Sequence, residues 1–504
     1  MQETHKSTMK GINPRTAFRN KKSFGGGMLR PVLRVILITG TAAAFLITYI
    51  GILDPQPASR KPMSDRDLRQ IVAGMALTSP PRPRPGSVEA QRAHIGRRLF
   101  FDTRLSANQQ VACSTCHQPD KSFTDGLPVA KGMGLTARNA PTIINTFKSP
   151  WFFWDGRADS LEAQAIGPLE NAEEHGLDRA SLAAILRQNY GTELLAYFPA
   201  RPATARPETR QDLQTGNLDA YVLATTGPYR RLTEILKFAA NVGIQPSQAI
   251  GQILAPQPAG GSRIDDDLTV ARAALALAAW EKLQVANQST FDRFVNGVIN
   301  TQEKNLEQLS AETGFGPDAL AGLRIFTGKG NCILCHRGPT LSDHEFHNIG
   351  LGDTPRQEQL EIKAWVADVA GRAKGLDEVL SSPWNCRSPA WRQLDNAREA
   401  QVRADMPACQ EMIFLDPGNL ENTGAFKTPT LRNVALTAPY FHDGRAATLD
   451  DVINHYDRLG EPAVVGHREE SLRPLSLTDT EKKQLKAFLE SLTSPVEDLS
   501  QTTH

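Results

Sequence analysis

The 504-residue sequence predicts a mainly α-helical protein of two related domains packed together, with long loops and an N-terminal transmembrane helix. Three observations predict it. A pattern at residues 140–162 returns at 428–450. Stretches with apolar residues at helical spacing alternate with runs rich in Pro and Gly. One uncharged run near the N-terminus is long enough to cross a bilayer.

That run is "VILITGTAAAFLITYIGIL", residues 35–53. Before it, residues 1–34 carry Lys or Arg at eight positions against a single acid, Glu3, a bias that keeps this end in the cytoplasm and exports everything after Asp54. Its length, and the lack of a small-residue cleavage site before Asp54, favour an uncleaved anchor over a cleaved signal peptide. Either way, the rest of the chain is expected outside the cytoplasm. Residues 54–87 follow as a linker whose end, "TSPPRPRPGS", is rich in Pro and Arg. Over the whole chain 56 basic residues balance 55 acidic ones, so nothing marks a nucleic-acid partner.

Four of the six cysteines fall in two copies of C-x-x-C-H: Cys113, Cys116 and His117, then Cys332, Cys335 and His336. The spacing suits two thioether bonds to one porphyrin edge, with the adjacent His as iron ligand, so the pattern marks covalent haem c. Two copies, each with its His and both exported, point to two haems; zinc or a thiol redox pair is the rival reading. Cys386 and Cys409 share one polar stretch on the oxidising side of the membrane, where a disulfide is the natural pairing.

The repeat extends beyond the haem motifs. "APTIINTFKSPWFFWDGRADSLE" (140–162) answers "TPTLRNVALTAPYFHDGRAATLD" (428–450), and in this register Trp154 falls opposite His442. Each haem motif follows a similar lead, "IGRRLFFDTRLSANQQVACSTCH" and "GLRIFTGKGNCILCH", reading as a helix and then a loop. The period is too long for a solenoid, so the reading is two cytochrome c-like haem domains. Their ranges are 88–305, with an insertion at about 200–267, and 306–495, with an insertion at about 352–415; residues 496–504 form a tail. "LTVARAALALAAWEKLQVA" (268–286) and "LTDTEKKQLKAFLESL" (477–492) carry helical periodicity and strong helix formers.

With these motifs, "LFFDTRLSAN", "FWDGRADSLEAQAIGPLENAEEHG" and "FKTPTLRNVALTAPYFHDGRAATL", the chain resembles the bacterial di-haem cytochrome c peroxidase/MauG family over about residues 88–495. The two insertions depart from the usual compact member. The resemblance implies a hydrogen-peroxide site at the N-terminal haem and electron relay or high-valent storage at the C-terminal one. It places Gln164 and Glu174 in the distal pocket over the first iron and Trp154 between the haems. It also implies a calcium ion held by Asn139 and the backbone oxygens of Thr437 and Pro439. A carboxylate over the iron suits peroxide cleavage, which needs a base for the inner proton and an acid for the leaving oxygen. Read alone, Glu174 would be one more solvated acid beside Glu170 and Glu173.

Some di-haem peroxidases close the first iron with a second His about sixteen residues after the haem His. Here no His lies between His117 and His175, and Met133 is the only candidate sixth ligand in that stretch, which favours an open iron. At the second haem, "TLDDVINHYDRLG" (448–460) reads as a helix capped by Thr448 with Asp451 in capping-box position. Leu449, Val452, Ile453 and Tyr456 share its apolar face, and His455 is rotated about 100° away. The position is that of the family's second axial ligand, Met in ordinary peroxidases and Tyr in MauG, so Tyr456 is the expected iron ligand and Met412 the rival. A phenolate is a hard anion that stabilises oxidised iron.

The expected function is a membrane-anchored di-haem oxidoreductase using hydrogen peroxide. Its electrons come from a small periplasmic cytochrome c or cupredoxin, or its oxidising power is spent on a protein or organic substrate. The alternative is a non-catalytic di-haem electron-transfer protein, against which Gln164, Glu174 and the missing second His speak.

Overall fold

The structure is a computed structural model describing residues 63–200, 264–351, 370–395, 397–412, 414–416, 419–460 and 466–501. The uncharged run 35–53 and residues 201–263 of the first insertion lie outside these residues; among the described residues no helix is long and apolar enough to cross a membrane.

The described protein is mainly helical. In chain order its helices are α1 (Asp65–Ala73), α2 (Val88–Phe100), α3 (Leu161–Glu170), α4 (Arg179–Tyr197), α5 (Ile264–Glu281), α6 (Thr290–Asn300), α7 (Leu306–Thr313) and α8 (Pro317–Thr327). Four short helices follow in the second insertion: α9 (Arg372–Ser381), α10 (Pro389–Leu394), α11 (Ala397–Ala404) and α12 (Pro407–Glu411). The last two are α13 (Leu449–Arg458) and α14 (Asp479–Glu490). Two antiparallel ladders of two residues per strand add little: Gln284–Val285 with Glu497–Asp498, and Phe346–His347 with Phe426–Lys427.

Each haem motif is preceded by a helix that crosses a partner over a glycine. A Cβ on Gly96 in α2 would lie 1.8 Å from the Ala276 carbonyl oxygen of α5, and one on Gly322 in α8 would lie 2.0 Å from the Gln484 carbonyl oxygen of α14. Only glycine permits backbones this close. Four residues on in each lead helix, Phe100 and Phe326 are buried and approach the motif histidines, with ring centroids 6.5 Å from His117 and 6.4 Å from His336.

The sequence repeat is also a structural one. Asn145 and Asn433 both take the left-handed conformation and open a 3-10 turn, Thr146–Lys148 and Val434–Leu436. Phe153 and Phe441 have positive φ, and bridges join Phe152 to Ala158 and Tyr440 to Ala446. Ser160 and Thr448 then cap α3 and α13 through their side chains, Thr448 in a capping box with Asp451.

Helix α5 stops at Glu281, five residues short of the apolar run read from the sequence. Tertiary bonds end it: the Asn145 side-chain amide donates to the Ala286 carbonyl (3.0 Å) and accepts from its N–H (3.1 Å). Asn433 binds Ser494 in the same two-bond fashion, at 2.9 Å for each bond.

Two large apolar cores form around these helix pairs. The first joins α2, α3, α4 and α5; the second joins α1, α6, α7, α8, α13 and α14. Their membership does not follow chain order. Phe291, Phe294 and Val295 of α6 lie in the second core, and Arg432 fastens α1 there by pairing with Asp292 and donating to the Met75 carbonyl (3.0 Å). Conversely, Trp384, Ala390, Trp391 and Leu394 of the second insertion lie in the first core. The insertion therefore forms a strap over the first helix group, stapled by a Cys386–Cys409 disulfide with Cα atoms 5.8 Å apart.

Candidate active site

The first C-x-x-C-H begins in a single helical turn, Cys113–Cys116. His117 Nδ1 lies 3.1 Å from the Phe123 carbonyl, to which it donates, and burial lowers the imidazole pKa. The ring is thus neutral with its Nε2 lone pair available, the arrangement a proximal iron ligand requires. The second motif repeats this geometry: His336 Nδ1 donates to the Leu341 carbonyl (2.9 Å), and burial again lowers the pKa. Cys113, Cys116, Cys332 and Cys335 form no disulfides. Thiols and histidines therefore fit covalent haem c at both motifs.

Helix α3 carries the half-buried Gln164 and leads through Asn171 into Glu174. The Asn171 side chain donates to Glu174 Oε1 (2.8 Å), and the Glu174 carbonyl accepts from the Met133 N–H (3.0 Å). Burial raises the Glu174 pKa, opposed by Arg157 and by the Asn171 hydrogen bond. Burial, Glu281, Cys116 and Glu174 all push the Cys113 thiol up, which places the Glu174 carboxyl within electrostatic reach of the haem motif. Arg157, its guanidinium 3.5 Å from the Phe153 ring centroid and paired with Asp155 (3.0 Å), is the cation of this pocket. Met133 is 41% exposed and rests on Gly176.

At the second motif the phenol of Tyr456 is raised by burial and then by Cys332 and Cys335, so it lies beside the attachment cysteines. Leu449 and Ile453 of α13 are buried, His455 and Tyr456 are both half-buried, and His455 donates through Nε2 to the Ile349 carbonyl (3.0 Å). Tyr456, not His455, is the side chain α13 turns toward the motif. Met412 is buried against Trp151, Val379 and Cys386 in a small core of the strap.

Between the motifs the repeats meet in a reciprocal pair of backbone bonds. The Asn139 N–H donates to the His442 carbonyl (2.8 Å), and the Lys427 N–H donates to the Trp154 carbonyl (2.7 Å). Asn139 and Lys427 are equivalent positions of the repeat, as are Trp154 and His442. The Trp154 and His442 rings meet edge-on at 6.4 Å, and His442 stacks on Phe426 at 3.7 Å. Trp154 Nε1 donates to the Asn139 carbonyl (2.9 Å), and the Asn139 side-chain amide donates to the Leu127 carbonyl (2.8 Å), leaving Oδ1 as the oxygen a hard cation would take. Thr437 and Pro439 lie just before His442, the latter after a cis peptide bond.

Sequence reasoning missed several residues. Asn171 and Arg157, which flank Glu174, carried no signal beyond the motif around them. Arg372 of the strap donates to the Asp155 (3.1 Å) and Gly156 (2.7 Å) carbonyls from far along the chain. Asp343, His347 and Glu469 form a hydrogen-bonded chain beside Cys335, with His347 2.9 Å from Glu469 and 3.2 Å from Asp343.

A family profile described as di-haem cytochrome c peroxidase matches residues 90–228. A cytochrome-c peroxidase, IdrP2, of Denitromonas iodatirespirans is 28% identical over 415 residues, covering 81% of this chain and 83% of that protein. The methylamine utilization protein MauG of Methylorubrum extorquens is 26% identical over 432 residues, covering 85% of this chain and 86% of that protein. Among solved structures, the diheme peroxidase BthA from Burkholderia thailandensis aligns with a TM-score of 0.47 at 18% identity, covering 82% of this chain and 87% of that one.

Proposed function

Because the chain belongs to the di-haem cytochrome c peroxidase/MauG family and is accordingly a di-haem peroxidase-like oxidoreductase, we propose that its two centres divide the work, the first cleaving hydrogen peroxide and the second holding charge through Tyr456. One observation carries this reading. Helices α3 and α13 are equivalent elements of the repeat, and at the position where α13 presents Tyr456, α3 has Pro168. Proline offers no ligand, so this helix can close the second centre and cannot close the first.

Haem c, held through Cys113 and Cys116 or through Cys332 and Cys335, would supply redox chemistry at each centre and, at the first, would activate peroxide. His117 and His336 would hold the irons. Glu174 takes the proton from the inner peroxide oxygen and returns it to the leaving oxygen; the burial that raises its pKa is what lets one carboxyl serve as both base and acid. Gln164 orients the substrate beside it. Tyr456 would hold the second iron as a phenolate, giving up to the metal the proton that burial otherwise keeps on it, and would so favour the oxidised states of that centre. Trp154, bridging the repeats by its ring and its carbonyl, is the electron path between them. Calcium at Asn139 Oδ1 and the backbone oxygens of Thr437 and Pro439 would stiffen that junction.

Tyr456 favours the MauG-like variant, in which a protein or organic molecule is oxidised, over simple peroxide removal with electrons from a cytochrome c or cupredoxin. The run 35–53 would tether the protein to the periplasmic face of the inner membrane. Electron paramagnetic resonance of the ferric protein tests the assignment: one high-spin and one low-spin signal are expected, and Tyr456→Phe should alter only the low-spin one. Two low-spin signals that ignore peroxide would instead identify an electron carrier.

A further inference from the structure

Resting on the peroxide reading above, we propose that Glu281, a buried carboxyl at the end of α5, is the internal proton source of the first centre, recharged from solvent past Lys282 and Glu162. Glu281 is 4% exposed and its Oε2 has no hydrogen-bond partner. A buried carboxylate without a partner is costly, so the group holds a proton. The groups facing it are Glu162 on α3, Lys282 beside it in sequence, and Cys113 of the first haem motif.

Those neighbours form a route. Lys282 Nζ is half-exposed and donates to Glu162 Oε1 (2.8 Å). Glu162 is kept ionised against its burial by Lys282 and then Arg403, the latter a strap residue paired with Asp395 (2.7 Å). Burial first, and the Glu162 carboxylate second, push the Glu281 pKa up to about 8, with Lys282 opposing. Solvent, the Lys282–Glu162 ion pair joining the end of α5 to α3, and a neutral acid thus stand in series. At the inner end, the ring of Trp280, the residue before Glu281, lies 4.6 Å from that of Phe100 and 6.1 Å from that of Phe123, whose carbonyl accepts from His117 Nδ1.

The chemistry needs such a store. Cleaving the O–O bond of HOOH and releasing two waters consumes two electrons, from the protein donor or the oxidised substrate, and two protons. Glu174 only shuttles the proton peroxide brings, so the two extra protons must come from outside the pocket. Glu281 gives each of them, by way of Glu174, to the oxygen atom that stays behind after cleavage, as the two electrons reduce that atom to water; it becomes a carboxylate each time and is reprotonated through the Glu162–Lys282 pair, twice per turnover.

The test uses the di-haem protein, comparing wild type with Glu281→Gln, which keeps shape but holds no transferable proton, and Glu281→Asp. Infrared titration of the wild type should show a protonated carboxyl band that disappears as pH passes about 8 and is absent from Glu281→Gln. In stopped flow with excess reductant, Glu281→Gln should return to its ferric state after peroxide cleavage at least about tenfold more slowly and lose the fall in that rate above that pH, with Glu281→Asp partly restoring both. An unchanged rate and pH profile in Glu281→Gln, with wild type reacting normally, overturns the proton store while leaving the peroxide reading intact. A wild type inert to peroxide overturns both.

Discussion

Removing the strap's staple isolates what the second insertion does. The double variant Cys386→Ser/Cys409→Ser opens a loop whose ends are 23 residues apart in sequence, and the chain entropy so released is worth about 3 kcal/mol. The strap keeps other anchors. Trp391 is 0% exposed in the first core, and burying about 200 Å² of ring at about 25 cal/mol/Å² contributes at most about 5 kcal/mol. Arg372 remains bonded to the Asp155 and Gly156 carbonyls, and the residue-386 amide can still donate to Asp159. The strap should therefore stay docked but open about a hundredfold more often, since about 1.4 kcal/mol is a factor of ten. Hydrogen exchange reads this directly. The amide at 386, which donates to Asp159 Oδ2 at 2.7 Å, should lose about two decades of protection while amides of α2 and α5 keep theirs. Unchanged protection at 386, or equal loss across α2 and α5, would refute the idea of a strap with its own opening equilibrium.

The remaining expectations concern the helix crossings and the acids. Gly96→Ala and Gly322→Ala each force a Cβ onto a carbonyl and should destabilise by about 3 kcal/mol, seen as a lower midpoint in thermal unfolding. An unshifted midpoint in either would mean that crossing has room. Glu174→Gln should slow the reaction with peroxide by about a hundredfold or more without changing the ferric spectrum of the second centre; stopped-flow absorbance decides it. Glu281 also makes stability depend on pH. Its folded pKa of about 8 lies above the ordinary 4.5, so the folded state binds the extra proton. Stability should thus fall as pH rises through that window, by about 5 kcal/mol in all. Denaturant melts of Glu281→Gln should show a flatter profile between those limits; an equally steep one removes Glu281 as the cause.

What the sequence made legible was whatever repeats or recurs at short range. The C-x-x-C-H motifs and the Thr448 cap follow from spacing along one segment, and α13 has that cap and buries Leu449 and Ile453 of the expected face. The Trp154–His442 register was legible because both copies keep the same turn. The end of α5 was not, because the Asn145 side chain that captures Ala286 lies far away in sequence. For the same reason nothing local announced that Trp384 and Trp391 would enter the first core, or that α6 would join the second. Periodicity reports which face of a segment is buried, not which neighbour buries it.

The repeat separates scaffold from chemistry. Positions that stay alike, Asn145 with Asn433, Gly96 with Gly322 and Ser160 with Thr448, hold backbone in place and would serve any pair of haem domains. Positions that diverge lie where the centres and their junction are: Pro168 against Tyr456, Trp154 against His442, Asn139 against Lys427. Two identical centres would hold electrons equally well and give neither a reason to bind peroxide. On the proposed division of work, a proline where its counterpart presents a phenol leaves the first centre open to peroxide and lets the second hold charge on one framework. The bonds Asn139 to His442 and Lys427 to Trp154 then lock the unlike pair face to face. Exchanging only the α3 and α13 residues, Pro168→Tyr with Tyr456→Pro, should therefore suppress peroxide reactivity at the first motif far more than substitutions among the matched scaffold positions of equal stability cost.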